Sequence, residues 1–260
     1  MDLITVDFET YYDKDFSLRK VTTEAYIRDP QFEVIGVGVK VNDGQTEWAS
    51  GTHEQIKRYL HNFDWADSML LCHNTMFDGA ILAWIFDVRP RVLADTLCIA
   101  RALHGVEVGG SLHALTQRYN LGTKGTEVLD AKGKHRLDFT PEELGRYGDY
   151  CVNDVELTYK LFMKMAKGFP KQEMRIIDMT LRMFTEPMLD LDIGLLRQHL
   201  EDTQQIKEEL LTSTGVTREQ LMSNPKFAEL LVSMNVDPPM KTSLTTGKET
   251  YAFAKNDEAF

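Results

Sequence analysis

Asp7-Phe8-Glu9 sets two carboxylates one residue apart, at the end of an apolar run, Leu3–Val6, that reads as a strand. Alternation along a strand puts Asp7 and Glu9 on one face and turns Phe8 toward a core. Carboxylates so spaced stand about 7 Å apart and can share a hard divalent cation. Asn74-Thr75-Met76-Phe77-Asp78 follows a second short apolar run, Ser68–Cys72, where a strand hands over to a helix. Asn74 and Asp78 then share one helix face, although an Asn cap with an exposed first-turn acid fits the same string. Tyr150 and Asp154 are also four apart, in a later helical stretch whose neighbours Cys151, Val155 and Leu157 suit burial. A carboxylate in such surroundings needs a partner or a metal; a solvated helix face accounts for Asp154 equally well. Asp154-Val155-Glu156 repeats the first spacing, and most such pairs are surface acids.

The elements that must position these residues are legible in outline. Glu33–Val41 is a β-branched run, Asn42-Asp43-Gly44 a hairpin turn, and Thr46–Ala49 the returning strand. Thr52 caps a helix over Glu54–Asn62, and Thr75–Phe86 is the next helix. Val92–Asp95 precedes helices over Thr96–His104 and Ser111–Tyr119. Thr140-Pro141-Glu142-Glu143 opens a helix that runs to about Lys167, with a break expected near Gly148. After Gly168-Phe169-Pro170 the pattern changes to helices over Gln172–Thr185, Gly194–Thr214 and Lys226–Met234, then to a polar, turn-rich end. Strands first and helices after predict an α/β domain followed by a helical extension.

The 260 residues, 43% hydrophobic, suffice for a full core. No apolar stretch is long enough to span a bilayer, and Met1-Asp2-Leu3 starts no signal peptide. Three scattered cysteines, Cys72, Cys98 and Cys151, argue against a disulfide framework or a zinc site and fit a reducing cytoplasm. The net charge of −11 works against a tight nucleic-acid binder, because phosphate is repelled. Divalent cations among clustered carboxylates would reverse that charge locally.

Taken together, the segments place four acids and a tyrosine at a first strand, a strand-to-helix junction and a late helix. This set resembles the DEDD exonuclease superfamily in its tyrosine-bearing branch: Asp7 and Glu9 in Asp-Phe-Glu-Thr, Asp78 in Asn-x-x-Phe-Asp, Tyr150 and Asp154 in Tyr-x-x-x-Asp. The histidine-bearing branch needs His at position 149, where this chain has Asp149. The tail from Lys241 to Lys255 is similar to the segment leading into the polymerase domain of phage family A DNA polymerases.

The resemblance implies an α/β fold, an RNase H-like mixed sheet flanked by helices, with a C-terminal helical extension. It implies a 3′→5′ exonuclease domain over residues 1–170 and, over 171–260, the start of a polymerase domain that continues past Phe260. The implied activity releases nucleoside 5′-monophosphates from 3′ ends of single-stranded DNA, as proofreading, in the host cytoplasm. Two divalent cations, Mg2+ or Mn2+, would be held by Asp7, Glu9, Asp78 and Asp154. Asp7, Glu9 and Asp154 would take one ion, Asp7 and the phosphate the second, and Asp78 would complete the site through a water. Tyrosine titrates near about 10 and is a poor base at neutral pH, so Tyr150 would orient the attacking water. Thr10, Tyr11, Asn74, Phe77 and Leu18 are the expected nucleic-acid contacts: Tyr11, with Tyr12, by stacking, and Leu18 as a wedge. The histidines lack metal-ligand spacing. An exoribonuclease of the same superfamily and a non-catalytic nucleic-acid-binding module are the rivals. Nothing after residue 170 resembles the polymerase aspartate motifs, so this chain alone is expected not to extend primers.

Overall fold

The computed structural model describes residues 1–122, 131–243 and 246–257; Thr245 of the tail motif and Phe260 lie outside them. A five-stranded sheet runs in the order β3-β2-β1-β4-β5, with β1 Asp2–Thr10, β2 Val34–Val41, β3 Glu47–Ser50, β4 Ser68–Cys72 and β5 Val92–Asp95. β2 lies antiparallel to both β1 and β3, whereas β4 and β5 run parallel in the half that begins at β1. The sheet is therefore mixed, and β1 is its central strand. β1 extends past the expected Val6 to Thr10, which keeps both site acids on regular strand.

The pleat sorts β1 into two cores. Ile4, Val6 and Phe8 face a core shared with Val37, Val39, Leu70, Ile56 of α2 (His53–Leu60) and Ile81 of α3 (Thr75–Trp84). Phe8 stacks on Phe86 at 5.7 Å, and burying such a ring contributes about 1.5–3 kcal/mol. α1, Thr23–Arg28, went unread in the sequence; Thr22 caps it. On the other face, Leu71 and Ala94 pack with Ile99 of α4 (Thr96–His104), Leu115 of α5 (Leu112–Arg118), and Leu157 and Leu161 of α6 (Pro141–Met165).

α6 begins as its sequence dictates, with a Thr140–Glu143 capping box and Pro141 in the first turn. The break expected near Gly148 does not occur; the helix is continuous over 25 residues. Gly148 is there for space. A Cβ on it would stand 2.6 Å from Cδ1 of Trp48, so the glycine admits the indole against the helix backbone.

α7, Lys171–Thr185, belongs to the same compact unit, Met1–Met188. Polar contacts fix it. Asp178 Oδ1 accepts from Leu93 N at 2.8 Å, and Trp84 Nε1 donates to Thr185 O at 2.8 Å. Leu189–Phe260 forms a second unit of α8 (Ile193–Thr214), α9 (Arg218–Met222), α10 (Asn224–Ser233) and a hairpin of β6 (Met240–Thr242) with β7 (Glu249–Tyr251). The segment read as turn-rich thus holds two short paired strands. Among the described residues no helix is long and apolar enough to cross a membrane.

Candidate active site

Asp7 and Glu9 project from the sheet face that α6 covers. Their partners across the β1–β2 ladder are Gly38 and Gly36. A Cβ on Gly38 would meet Cys151 Sγ and Val155 Cγ2 at 2.9 Å. The missing side chain lets α6 approach the sheet closely enough to bring its own residues to the two acids. Cys151 Sγ donates to the Asp7 carbonyl at 3.3 Å and to Asp7 Oδ2 at 3.6 Å. One ligand atom from each of Asp7, Glu9 and Cys151 lies within 4.8 Å of the others.

Asp154 and Tyr150, expected to share a face of this helix, reach the same place. Both are buried. Burial pushes the Tyr150 phenol well up, followed by the charges of Asp154, Glu9 and Asp7 and a hydrogen bond to Asp154. Burial also raises the Cys151 thiol, with Asp7, Glu9 and Asp154 adding to it. Three acids from two elements thus surround one neutral thiol. Sequence reasoning missed Tyr147, one turn before Tyr150, whose buried phenol is pushed up by desolvation and then by the Glu9 charge.

Asp78 enters from α3. It is 3% exposed, and its Oδ1 accepts from Phe8 N at 3.0 Å, the amide of the residue between Asp7 and Glu9. Burial and then the like charge of Asp7 raise its pKa well above the ordinary carboxylate range. Asn74 does not cap α3 as a local reading allows. It sits at φ 77 in the left-handed region with no side-chain cap bond, and Asp95 takes the amides of Asn74 and Thr75 at 3.0 and 3.2 Å.

This donor set fits a hard divalent cation. Buried carboxylates repelling one another are what such a cation relieves. Most donors here are carboxylate oxygens, the ligand type that suits Mg2+ or Mn2+.

Beside the acids lies a cleft of about 620 Å3, lined by Thr10, Tyr12, Leu18, Tyr26 and Phe77 and by Lys14, Arg19, Lys20 and Lys132. Thr10, Leu18 and Phe77, expected as contacts, are in its wall. Thr10 is 9% exposed, with its hydroxyl 2.9 Å from that of Tyr26. Asn74 is exposed but is not in the wall. Tyr11 is turned into the protein, stacked on His135 at 3.9 Å, with its hydroxyl on Asp13 Oδ2 at 2.9 Å. That burial takes its ring out of the cleft, whose wall holds those of Tyr12, Tyr26 and Phe77. Asp13 also accepts from Phe16 N at 2.6 Å and Asp15 N at 2.7 Å, a tight Asx turn that shapes the cationic loop. Those amides, that of Phe16 foremost, hold its carboxyl below the ordinary range. The cations were unread, although Lys14, Arg19 and Lys20 fall within seven residues of an acidic chain.

The sequence profile of the 3′-5′ exonuclease family matches residues 1–169. The chain belongs to that family. Its fold is shared with NrnC from Brucella melitensis, at TM-score 0.52 and 14% identity over 74% of this chain and 89% of that one. It is also shared with Trypanosoma brucei RNase D, solved in complex with RNA U12, at TM-score 0.55 and 12% identity over 73% and 66%. The family B DNA polymerase of Pyrobaculum calidifontis aligns at TM-score 0.51 and 14% identity, over 71% of this chain but 27% of its own. No curated protein sequence matches. These likenesses show the expected RNase H-like exonuclease fold, a mixed five-stranded sheet flanked by helices. In this exonuclease the matched segment ends before α7, which nonetheless packs on its sheet.

Proposed function

We propose that this exonuclease hydrolyses the terminal phosphodiester at the 3′ end of single-stranded DNA, releasing nucleoside 5′-monophosphates, as the proofreading part of a phage-type family A DNA polymerase. The observation that carries the reading is the meeting of Asp7, Glu9 and Cys151 within 4.8 Å, with Asp154 one turn along the same helix from that thiol and Asp78 bonded into the same strand, next to a cleft lined by four cations. Asp7, Glu9, Asp78 and Asp154 would hold two divalent cations, Mg2+ or Mn2+. When bound, the ions supply an activated water and stabilise charge on the attacking and leaving oxygens.

The chain's own residues do the positioning. Tyr150, held protonated by burial and by the acids around it, cannot accept the proton of the attacking water; it orients that water through its hydroxyl. Tyr12 and Phe77 offer ring faces to the last bases. Lys14, Arg19, Lys20 and Lys132 neutralise the phosphates behind the scissile bond, which lets a chain of net charge −11 hold a polyanion at one place. The tail from Lys241 supports the polymerase setting by its likeness to a polymerase leader segment.

RNA as substrate is the second reading, supported by the fold shared with RNase D solved on RNA. A 5′-labelled single strand, as DNA and as RNA, incubated with Mg2+ and separately with chelator, decides between them. A ladder shortening from the 3′ end of DNA, absent with chelator and in Asp7→Ala, is expected. Faster loss of the RNA strand would replace DNA with RNA. No cleavage of either would sink both.

A further inference from the structure

Asp95, the last residue of β5, is 1% exposed and is not among the acids assigned above to the metal. Its Oδ1 accepts from Leu97 N at 2.8 Å, capping α4 as the sequence of β5 and α4 requires. The same carboxylate reaches across to the neighbouring strand end. There it takes Asn74 N on Oδ1 at 3.0 Å and Thr75 N on Oδ2 at 3.2 Å. Cys98 Sγ donates to Oδ2 at 3.3 Å. One buried carboxylate therefore receives the first amides of two helices that leave adjacent parallel strands. Helix starts supply the positive end of a dipole and orphan N–H groups, which together stabilise its charge. Side chains tie the same two turns: Thr75 Oγ1 donates to Ala94 O at 2.6 Å, and His73 Nδ1 lies 2.8 Å from Thr96 Oγ1.

The strained part of this junction is Asn74, at φ 77. Left-handed backbone is uncommon outside glycine, and the surroundings must hold it there. The amide that Asp95 receives is the one belonging to that residue. The next turn of α3 carries Phe77 into the cleft and Asp78 onto Phe8 N. The phase of α3 thus follows from where its first amides are pinned.

We propose that Asp95 is a positioning residue: it clasps the starts of α3 and α4 together, fixes Asn74 in its left-handed turn, and so places Asp78 for metal and Phe77 for the strand. This rests on the metal-dependent reading above, and the test separates the two. In the full chain, Asp95→Ser keeps a good cap for α4 but has no second oxygen for the β4–α3 turn. Asp95→Asn keeps the shape and one acceptor, and serves should the serine variant not fold. Ser111→Ala, which removes the cap of α5 at Ala114 N, controls for plain loss of stability.

Amide hydrogen exchange at Asn74 and Thr75, and Mn2+ binding by calorimetry, are measured alongside hydrolysis. Asp95→Ser should quicken exchange at those two amides and weaken Mn2+ binding about 10-fold, the low end of the cost of disturbing the support of a metal ligand; Asp95→Asn should fall between. Ser111→Ala should leave both unmoved. Unchanged exchange in both Asp95 variants, or quickened exchange with unchanged Mn2+ affinity, overturns the clasp. Should the unmodified chain itself bind no Mn2+, the nuclease reading falls, and exchange alone judges the clasp.

Discussion

The acids of the pocket come from β1, α3 and α6 and are buried or half-buried, held by backbone amides and close helix packing. The cations of the adjoining cleft come from the loop after β1 and from Lys132, and all four are exposed. The two regions share a seam, because Thr10 follows Glu9 and Phe77 precedes Asp78. Charge that must act on a reacting bond is placed where the dielectric is low and side chains cannot move. Charge that need only retain a flexible polyanion is left in water, where it is worth less per residue but costs little to desolvate. Rate and affinity should therefore separate along the seam.

The strongest attempt to break that division is Asp7→Ala. It removes the acid shared by both expected ions, and kcat should fall by at least ~10^3-fold, with the circular dichroism of the fold retained. A residual rate within tenfold of the unmodified chain would move the chemistry elsewhere. Tyr150→Phe should lower kcat by about 10–100-fold with KM nearly unchanged, as for a group that only orients; a comparable rise in KM would place the phenol on the strand instead. The triple variant Lys14→Ala, Arg19→Ala, Lys20→Ala should raise KM while sparing kcat. The slope of log KM against log salt should flatten by about 2, near 0.7 for each phosphate of a single strand that is no longer neutralised. A fall in kcat with an unchanged slope would merge the two regions.

The smallest effect concerns stability. Asp78 has its folded pKa raised by burial and by Asp7. The folded state thus binds a proton more tightly than the unfolded one. In chelator, stability contributed by protonated Asp78 is present below about pH 3.8 and is lost as pH rises toward the folded pKa. Compared with Asp78→Asn, the metal-free chain should lose Tm as pH rises, and Mn2+ should raise its Tm more at the upper end. A Tm difference between the two that does not shrink with rising pH would contradict the assignment.

The pairs within the acid pocket were legible because their logic is local; their joining with Asp78 came from the family resemblance. A strand alternates and a helix repeats every turn, so Asp7 with Glu9 and Tyr150 with Asp154 could be paired on sight. Residues whose meaning depends on distant neighbours were not. Asp95 looked like the end of a short run, since its cross-strand partners are featureless backbone amides at 74 and 75. Tyr11 looked like a platform because nothing near it announces His135. Gly148 looked like a breaker, since the indole that needs the space lies in β3. Gly168-Phe169-Pro170 follows the end of a helix, as its residue types dictate, but that α7 is anchored on Leu93 and Trp84 is not readable from them.

Trp48 stands with the ring position of one edge 2.3 Å from where a Cβ of Gly36 would be, and another edge against Gly148. It works as a shim of fixed thickness between β2 and the long helix. Even a methyl group at either glycine, Gly36→Ala or Gly148→Ala, would force the shim out or the helix up. The helix holds Asp154 and the strand Asp7 and Glu9, so catalytic output becomes a gauge of that spacing.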